Sequence, residues 1–149
     1  MIARESIQRI CKCLLTVEKN FICLQNRATP LRTRDMAKGY WLVKQEPEAY
    51  PWSQLVHDGV ADWRGVRNCQ ARNYLRQMRQ GDEVLYYHSV SDKCVMGIAK
   101  VLREHYTDPS DHTGKWSAVD IVPLRALKIP VGLETLKEDP ALDDIPLPK

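Results

Sequence analysis

The sequence predicts an α+β domain, a mostly antiparallel curled sheet or open barrel dressed with short helices. Two observations carry that expectation. Aromatic and β-branched runs recur at Tyr40–Lys44, Val84–Ser89, Cys94–Arg103 and Trp116–Leu127, the residue types that fit a pleated, half-buried surface. Only one segment, Asn68 to Gln80, sustains a helical period through several turns, with Ala71, Tyr74, Leu75 and Met78 on one face and Arg72, Arg76 and Arg79 on the other.

In chain order, the first 35 residues read as a tail or an upstream extension that stays disordered. They hold seven Lys/Arg against three Asp/Glu and a faint helical face of Ile7, Ile10, Cys11 and Leu14. Met36 stands just before the first strand pattern and marks a candidate alternative start. Tyr40–Lys44 is that first strand, and Pro47 ends it. Pro51 to His57 is a short helix with proline in its first turn and Gly59 as its stop. Val60 to Trp63 leads into the long helix, for which Asn68 is the N-cap and Gly81 the terminator. Strands follow at Val84–Ser89 and Cys94–Arg103, where Gly97 signals a bulge or a close backbone approach. His105 to Lys115 is a hydrophilic loop, Trp116–Leu127 a fourth strand with a bulge or edge at Pro123, and Leu133–Glu138 a last short helix.

Composition excludes several classes. No apolar run approaches the ~18 residues of a bilayer helix, and 28% charged residues suit a globular protein. The net charge of +3 resides in the tail; residues 36–149 carry fifteen Lys/Arg against sixteen Asp/Glu, so a polyanion would be met by a local patch. Cys11, Cys13, Cys23, Cys69 and Cys94 form no Cys-x-x-Cys pair, and no metal is expected. Cys69 and Cys94 are expected as small buried hydrophobes. A zinc deaminase would need His-x-Glu and Pro-Cys-x-x-Cys, and neither occurs; the glycines form no phosphate loop. His88 and Ser89 are strand neighbours that should point to opposite faces, so they make no base and nucleophile pair. Asp108, Asp111, Asp143 and Asp144 lie in loops without evident partners, and the domain is expected to be non-enzymatic and to carry no cofactor.

The densest stretch runs from Trp63 to Leu75, where an aromatic, a glycine turn, arginines and asparagines meet at the start of a helix, a place where free backbone N–H groups welcome an anion or an acceptor-rich ligand. Trp41 could be core or cage, and Lys44 with Glu46 could be an exposed ion pair or a pocket wall with its counter-charge. The arginine face could equally be a solvated helix surface.

These motifs, Tyr40-Trp41-Leu42-Val43-Lys44-Gln45-Glu46-Pro47, the run from Trp63 to Leu75, Gly81-Asp82, Tyr87-His88-Ser89, Gly97-Ile98-Ala99 and Trp116-Ser117-Ala118-Val119-Asp120, resemble the EVE domain family, a PUA-like fold, over residues 38 to about 142. The family commonly has serine where Gln45 stands, and it continues into a final strand, so residues 36–149 are expected to form a C-terminally truncated domain. The resemblance implies a reader of modified bases in nucleic acid, modified cytosine such as 5-methylcytosine or 5-hydroxymethylcytosine in DNA foremost. A base leaves its stack before its edge is inspected. It implies a pocket built from Trp41, Lys44, Glu46, Trp63, Val66, Arg67, Asn68, Tyr87, His88 and Ser89, with phosphate held by Arg72, Arg76 and Arg79. A monomer is expected, cytoplasmic if bacterial and nuclear if eukaryotic. A modified-RNA binder, a pocket for a free nucleotide-like molecule and a partly folded fragment stand as alternatives.

Overall fold

A computed structural model describes residues 38–138 and the backbone of two short strands before them, β1 (Val17–Glu18) and β2 (Phe21–Leu24). The rest of the chain, including the predicted face of Ile7, Ile10, Cys11 and Leu14 and the acids Asp143 and Asp144, lies outside the described residues. Five further strands follow: β3 (Tyr40–Gln45), β4 (Ala61–Trp63), β5 (Glu83–His88), β6 (Cys94–Thr107) and β7 (Ser117–Gly132). They form one open, mixed sheet in the order β1-β2-β3-β5-β6-β7-β4. Every pairing is antiparallel except that of β3 with β5, where Tyr40 lies beside Glu83 and Gln45 beside His88.

Parallel neighbours cannot be joined by a hairpin, so the chain between β3 and β5 crosses over. It carries helix α1 (Trp52–Asp58), then β4, then helix α2 (Cys69–Leu75). The central strands are buried on both faces, which is why they read as unbroken apolar runs. Trp41, Val43, Val84 and Tyr86 face Leu55 of α1 and Leu75 of α2, while Leu42, Leu85 and Tyr87 face the other way, toward Leu136 of helix α3 (Leu133–Lys137).

Local signals set the helix boundaries where they were expected at one end only. Gly59 adopts φ 74° and returns its N–H to Leu55 O, and Asn68 Oδ1 caps α2 by accepting from Ala71 N. The helix predicted to reach Gln80 nevertheless stops at Leu75. Past it, Gln77 and Met78 bond to Tyr74 O and Leu75 O, a tightening that sinks Met78 fully into the core. The buried Asp82 carboxylate then collects Arg79 N, Gly39 N and the Trp41 indole N–H, pulling this segment onto the sheet. Cys69 is exposed and Cys94 half-buried, against the expectation of two buried thiols; the first residue of α2 lies off the face that carries Ala71 and Leu75.

The hairpin β6–β7 is longer than predicted at both ends, and the loop shrinks to 108–116. The residues added to β6, Glu104 to Thr107, are exposed or half-buried, so no hydrophobic alternation announces them. Four register shifts bend the hairpin, one of them beside Pro123. Another brackets Gly97, whose hydrogen-only face receives the Trp52 ring; an added Cβ would lie 2.3 Å from it. Ala61–Trp63 was expected only as a lead-in but pairs with β7 at Val119–Ile121. Among the described residues no helix is long and apolar enough to cross a membrane.

Gly97→Ala is expected to push Trp52 off β6 and destabilise the protein by about 1–3 kcal/mol, read as a lower urea midpoint with an unchanged slope.

Candidate ligand-binding cleft

Where β3 and β5 end side by side, Ser89 N donates to Gln45 O at 2.8 Å, and beyond that bond the sheet opens into a cleft of about 610 Å³. Cavities of this size suit a nucleoside-sized ligand. Lys44, Gln45 and Glu46 form one rim, Tyr50 and Asp58 from the ends of α1 a second, and the turn from Asp62 through Trp63 to Val66 the far wall.

Trp63 is held edge-on against Tyr86, ring centres 5.8 Å apart, and Tyr86 is braced by Trp52 at 5.5 Å and by its hydroxyl donating to Tyr50 O at 2.7 Å. Burial pushes the Tyr86 phenol well above its ordinary range, so it remains a neutral donor. Tyr50 donates to Asp58 Oδ2, and burial, then that bond, pushes its own phenol up to about 12. The indole wall is thus fixed before a ligand arrives. Ser89 is the opposite case: only 3% exposed, it lines the cleft, and its Oγ has no hydrogen-bond partner among the described residues. A buried hydroxyl without a partner costs about 1–3 kcal/mol, a cost a ligand can relieve.

The wall turn is secured from behind. Gly65 adopts φ 78°, and its N–H, with Arg67 Nη1, donates to one oxygen of Asp108, at 2.9 and 2.7 Å. The other Asp108 oxygen accepts from Ser110 N and Oγ. Asp108 is completely buried; burial alone would raise its carboxyl, but the bonds from Ser110, Arg67 and Gly65 outweigh it and hold the group well below the ordinary carboxylate range. Asp111 organises the same loop by accepting from Thr113 and Trp116 N, which brings its carboxyl down to about 2. Asp108 and Asp111, two of the four acids that looked partnerless in sequence, are therefore supports of the site. Only the pairing of Asp108 with residues more than forty positions away reveals it.

Of the residues expected to form the pocket, Lys44, Glu46, Trp63, Val66 and Ser89 line it. No ion pair joins Lys44 to Glu46 among the described residues. Trp41 and Tyr87 do not line it: both are core and 1% exposed, Trp41 in the cluster that faces α1 and α2 and Tyr87 in the cluster that faces α3. Asn68 spends its side chain on the helix cap. His88 lies beneath the floor, accepting from Trp52 N at Nε2 and facing Asp92 across 2.7 Å at Nδ1. Arg67 turns away from the cleft toward Asp108, Ser110 and the Trp116 ring. The three arginines do not share one helix face: Arg72 lies over Trp116, Arg76 bonds Ser117 Oγ and Lys115 O, and Arg79, past the helix end, pairs with Glu104. Gln45 lines it too, and Tyr50, Asp58, Asp62 and Arg64 are lining residues that sequence reasoning did not place in the pocket.

An open mixed sheet with short helices packed on both faces and a cleft at the end of its parallel strand pair defines a PUA-like domain. The EVE domain family model matches residues 39–149, and the chain belongs to that family. Mouse thymocyte nuclear protein 1 is 36% identical over 124 residues, which cover 66% of this chain and 55% of that protein. The human protein is 34% identical with the same coverage, so the chain spans about half the length of the curated relatives it matches. Among solved structures, Rpa0253 from Rhodopseudomonas palustris superposes with a TM-score of 0.68 at 46% identity, over 70% of this chain and 74% of its own. Human THYN1 in complex with 5-methylcytosine-containing DNA superposes at 0.59 and 33% identity, over 66% and 72%.

Asp108→Asn is expected to lower stability at neutral pH by about 3 kcal/mol, because Arg67 loses a charged partner and a buried acceptor is weakened. The native carboxyl is depressed, so its contribution is complete above its ordinary value of 3.8 and is lost as the pH falls below it. Denaturation followed from neutral to acid pH should therefore show a steep acid decline in the native protein and a shallower one in the variant.

Proposed function

We propose that this chain is a non-enzymatic reader of modified bases in nucleic acid, taking a flipped modified cytosine of DNA into the cleft between Trp63 and Ser89. The observation that carries the reading is the pairing of a fixed aromatic wall with a buried, unpartnered hydroxyl in one nucleoside-sized cavity. A base brings a π-face for the indole and ring donors and acceptors for Ser89 Oγ and the Gln45 amide. The human relative solved with 5-methylcytosine-containing DNA supports the same ligand class.

The titratable groups around the cleft favour binding over catalysis. Asp58 is occupied by Tyr50 and Gln54, and Asp62 by Arg64. His88 Nε2 is engaged by Trp52 N–H, so His88 is not a base poised against Ser89. Polymer is favoured over a free nucleotide because cations lie next to the wall turn, at Arg67 and Arg72.

Ser89→Ala should remove the unpaired hydroxyl, and so leave the unliganded protein as stable or more stable, yet weaken binding to a 5-methylcytosine oligonucleotide by about tenfold, near 1.4 kcal/mol. Trp63→Ala should abolish the preference over unmodified DNA, since stacking is worth about 1–3 kcal/mol per base. Tryptophan quenching with matched oligonucleotides checks both. Unchanged affinity in Ser89→Ala would remove the hydroxyl from the site, preference for a ribose backbone would move the ligand to RNA, and tight salt-independent binding of a mononucleotide would replace the polymer.

A further inference from the structure

Trp116 is half-buried at the foot of the loop that supports the wall turn, and three cations surround its ring: Lys115 Nζ at 5.2 Å from the ring centre, the Arg72 guanidinium at 5.7 Å and that of Arg67 at 5.8 Å. Arg76 stands beside them, held by Lys115 O and Ser117 Oγ. Of these four, only Arg67 has a carboxylate partner among the described residues, the buried Asp108. Arg72 bonds the neutral Asn73 amide, and Lys115 is exposed with its ammonium against the ring. The nearby Asp111 carboxylate is turned inward, onto Thr113 and Trp116 N. Elsewhere Lys38 meets Glu83, Arg64 meets Asp62, Arg79 meets Glu104 and Lys137 meets Glu134; what sets this cluster apart is that its cations converge on one ring.

A cluster of like charges without counter-charge is unfavourable in isolation and favourable beside a polyanion. Its position is also set. Val66 lines the cleft, Arg67 is the next residue, and Asp108 binds Gly65 of the cleft wall and Arg67 of the cluster through the same oxygen.

We infer that the Trp116 cluster of Arg72, Arg76 and Lys115 is a phosphate-binding platform for the strand that flanks the base in the cleft, and that it supplies affinity without base selectivity. This rests on the reader function for its geometry, while its own signature is electrostatic. Arg79, neutralised by Glu104, is not part of it.

The test uses the full chain, a double-stranded oligonucleotide with one 5-methylcytosine and its unmodified twin, each titrated across a salt series. Arg72→Gln with Lys115→Gln should weaken binding to both oligonucleotides by the same factor, about tenfold at low salt, and reduce the slope of log affinity against log salt by about one to two. The preference for the modified base should be retained. Lys128→Gln with Lys137→Gln removes the same net charge at a distance and should leave the slope as it is; an equal drop there would reduce the effect to overall charge and overturn the platform. An unchanged slope in the Arg72 and Lys115 variant, with its thermal unfolding intact, would overturn it too. Loss of slope in a protein with no preference for the modified base would keep the platform and remove the reader function.

Discussion

β3 and β5 run side by side in the same direction, and the rest of the molecule follows from that constraint. A parallel pair needs a crossover, and here the crossover supplies much of the cleft wall: α1, β4 and α2 all lie between Gln45 and Glu83. The pair is buried on both faces, so it demands apolar residues in every central position and tolerates polar ones only toward its ends. That end is where Lys44, Gln45, Glu46 and Ser89 gather. The cleft lies where the strands stop, and none of the described strands continues to cover it.

Two buried carboxylates hold the crossover to the sheet, and each does so by gathering donors from distant segments. Asp82 binds the start of β3 through Gly39 N and the Trp41 indole, and Asp108 binds the wall turn through Gly65 N and Arg67. Gly39 has no room for a side chain, since an added Cβ would meet Asp82 at 2.4 Å. An ionised carboxylate is costly to bury, and several N–H and O–H donors per group are what make it tolerable. The same bonds make the wall rigid, and a rigid wall loses little entropy when a flat ligand stacks on it.

In the reader function proposed above, cleft and cationic surface would divide two physical tasks. There, contacts to Trp63 and a bond to Ser89 Oγ would be short-ranged and read the base, whereas charges around Trp116 would act over the Debye length and be indifferent to sequence. Asp108 bonds Gly65 of the cleft wall and Arg67 beside Trp116, so the spacing of the two surfaces is set by one carboxylate.

Local signals were enough for the elements whose causes are local. The run Tyr40–Lys44, the proline-led helix closed by Gly59, the Asn68 cap and the glycine at position 97 each act within a few residues or a single side-chain absence, and all were legible. The resemblance of the motifs to the EVE domain also placed Trp63, Val66 and Ser89 near one another. By itself the sequence thus determined the class of fold and the neighbourhood of the cleft. Tertiary structure decided the roles within it: Trp41 and Tyr87 are core where Trp63 is wall, α2 ends early because Asp82 and Met78 are drawn to the sheet, and three residues at Ala61–Trp63 become a strand only because β7 offers an edge. Asp108 shows the reason most clearly. A carboxylate in a polar loop looks the same whether it faces water or meets an arginine, and its partners stand forty-one and forty-three positions away, a separation that only the folded chain closes.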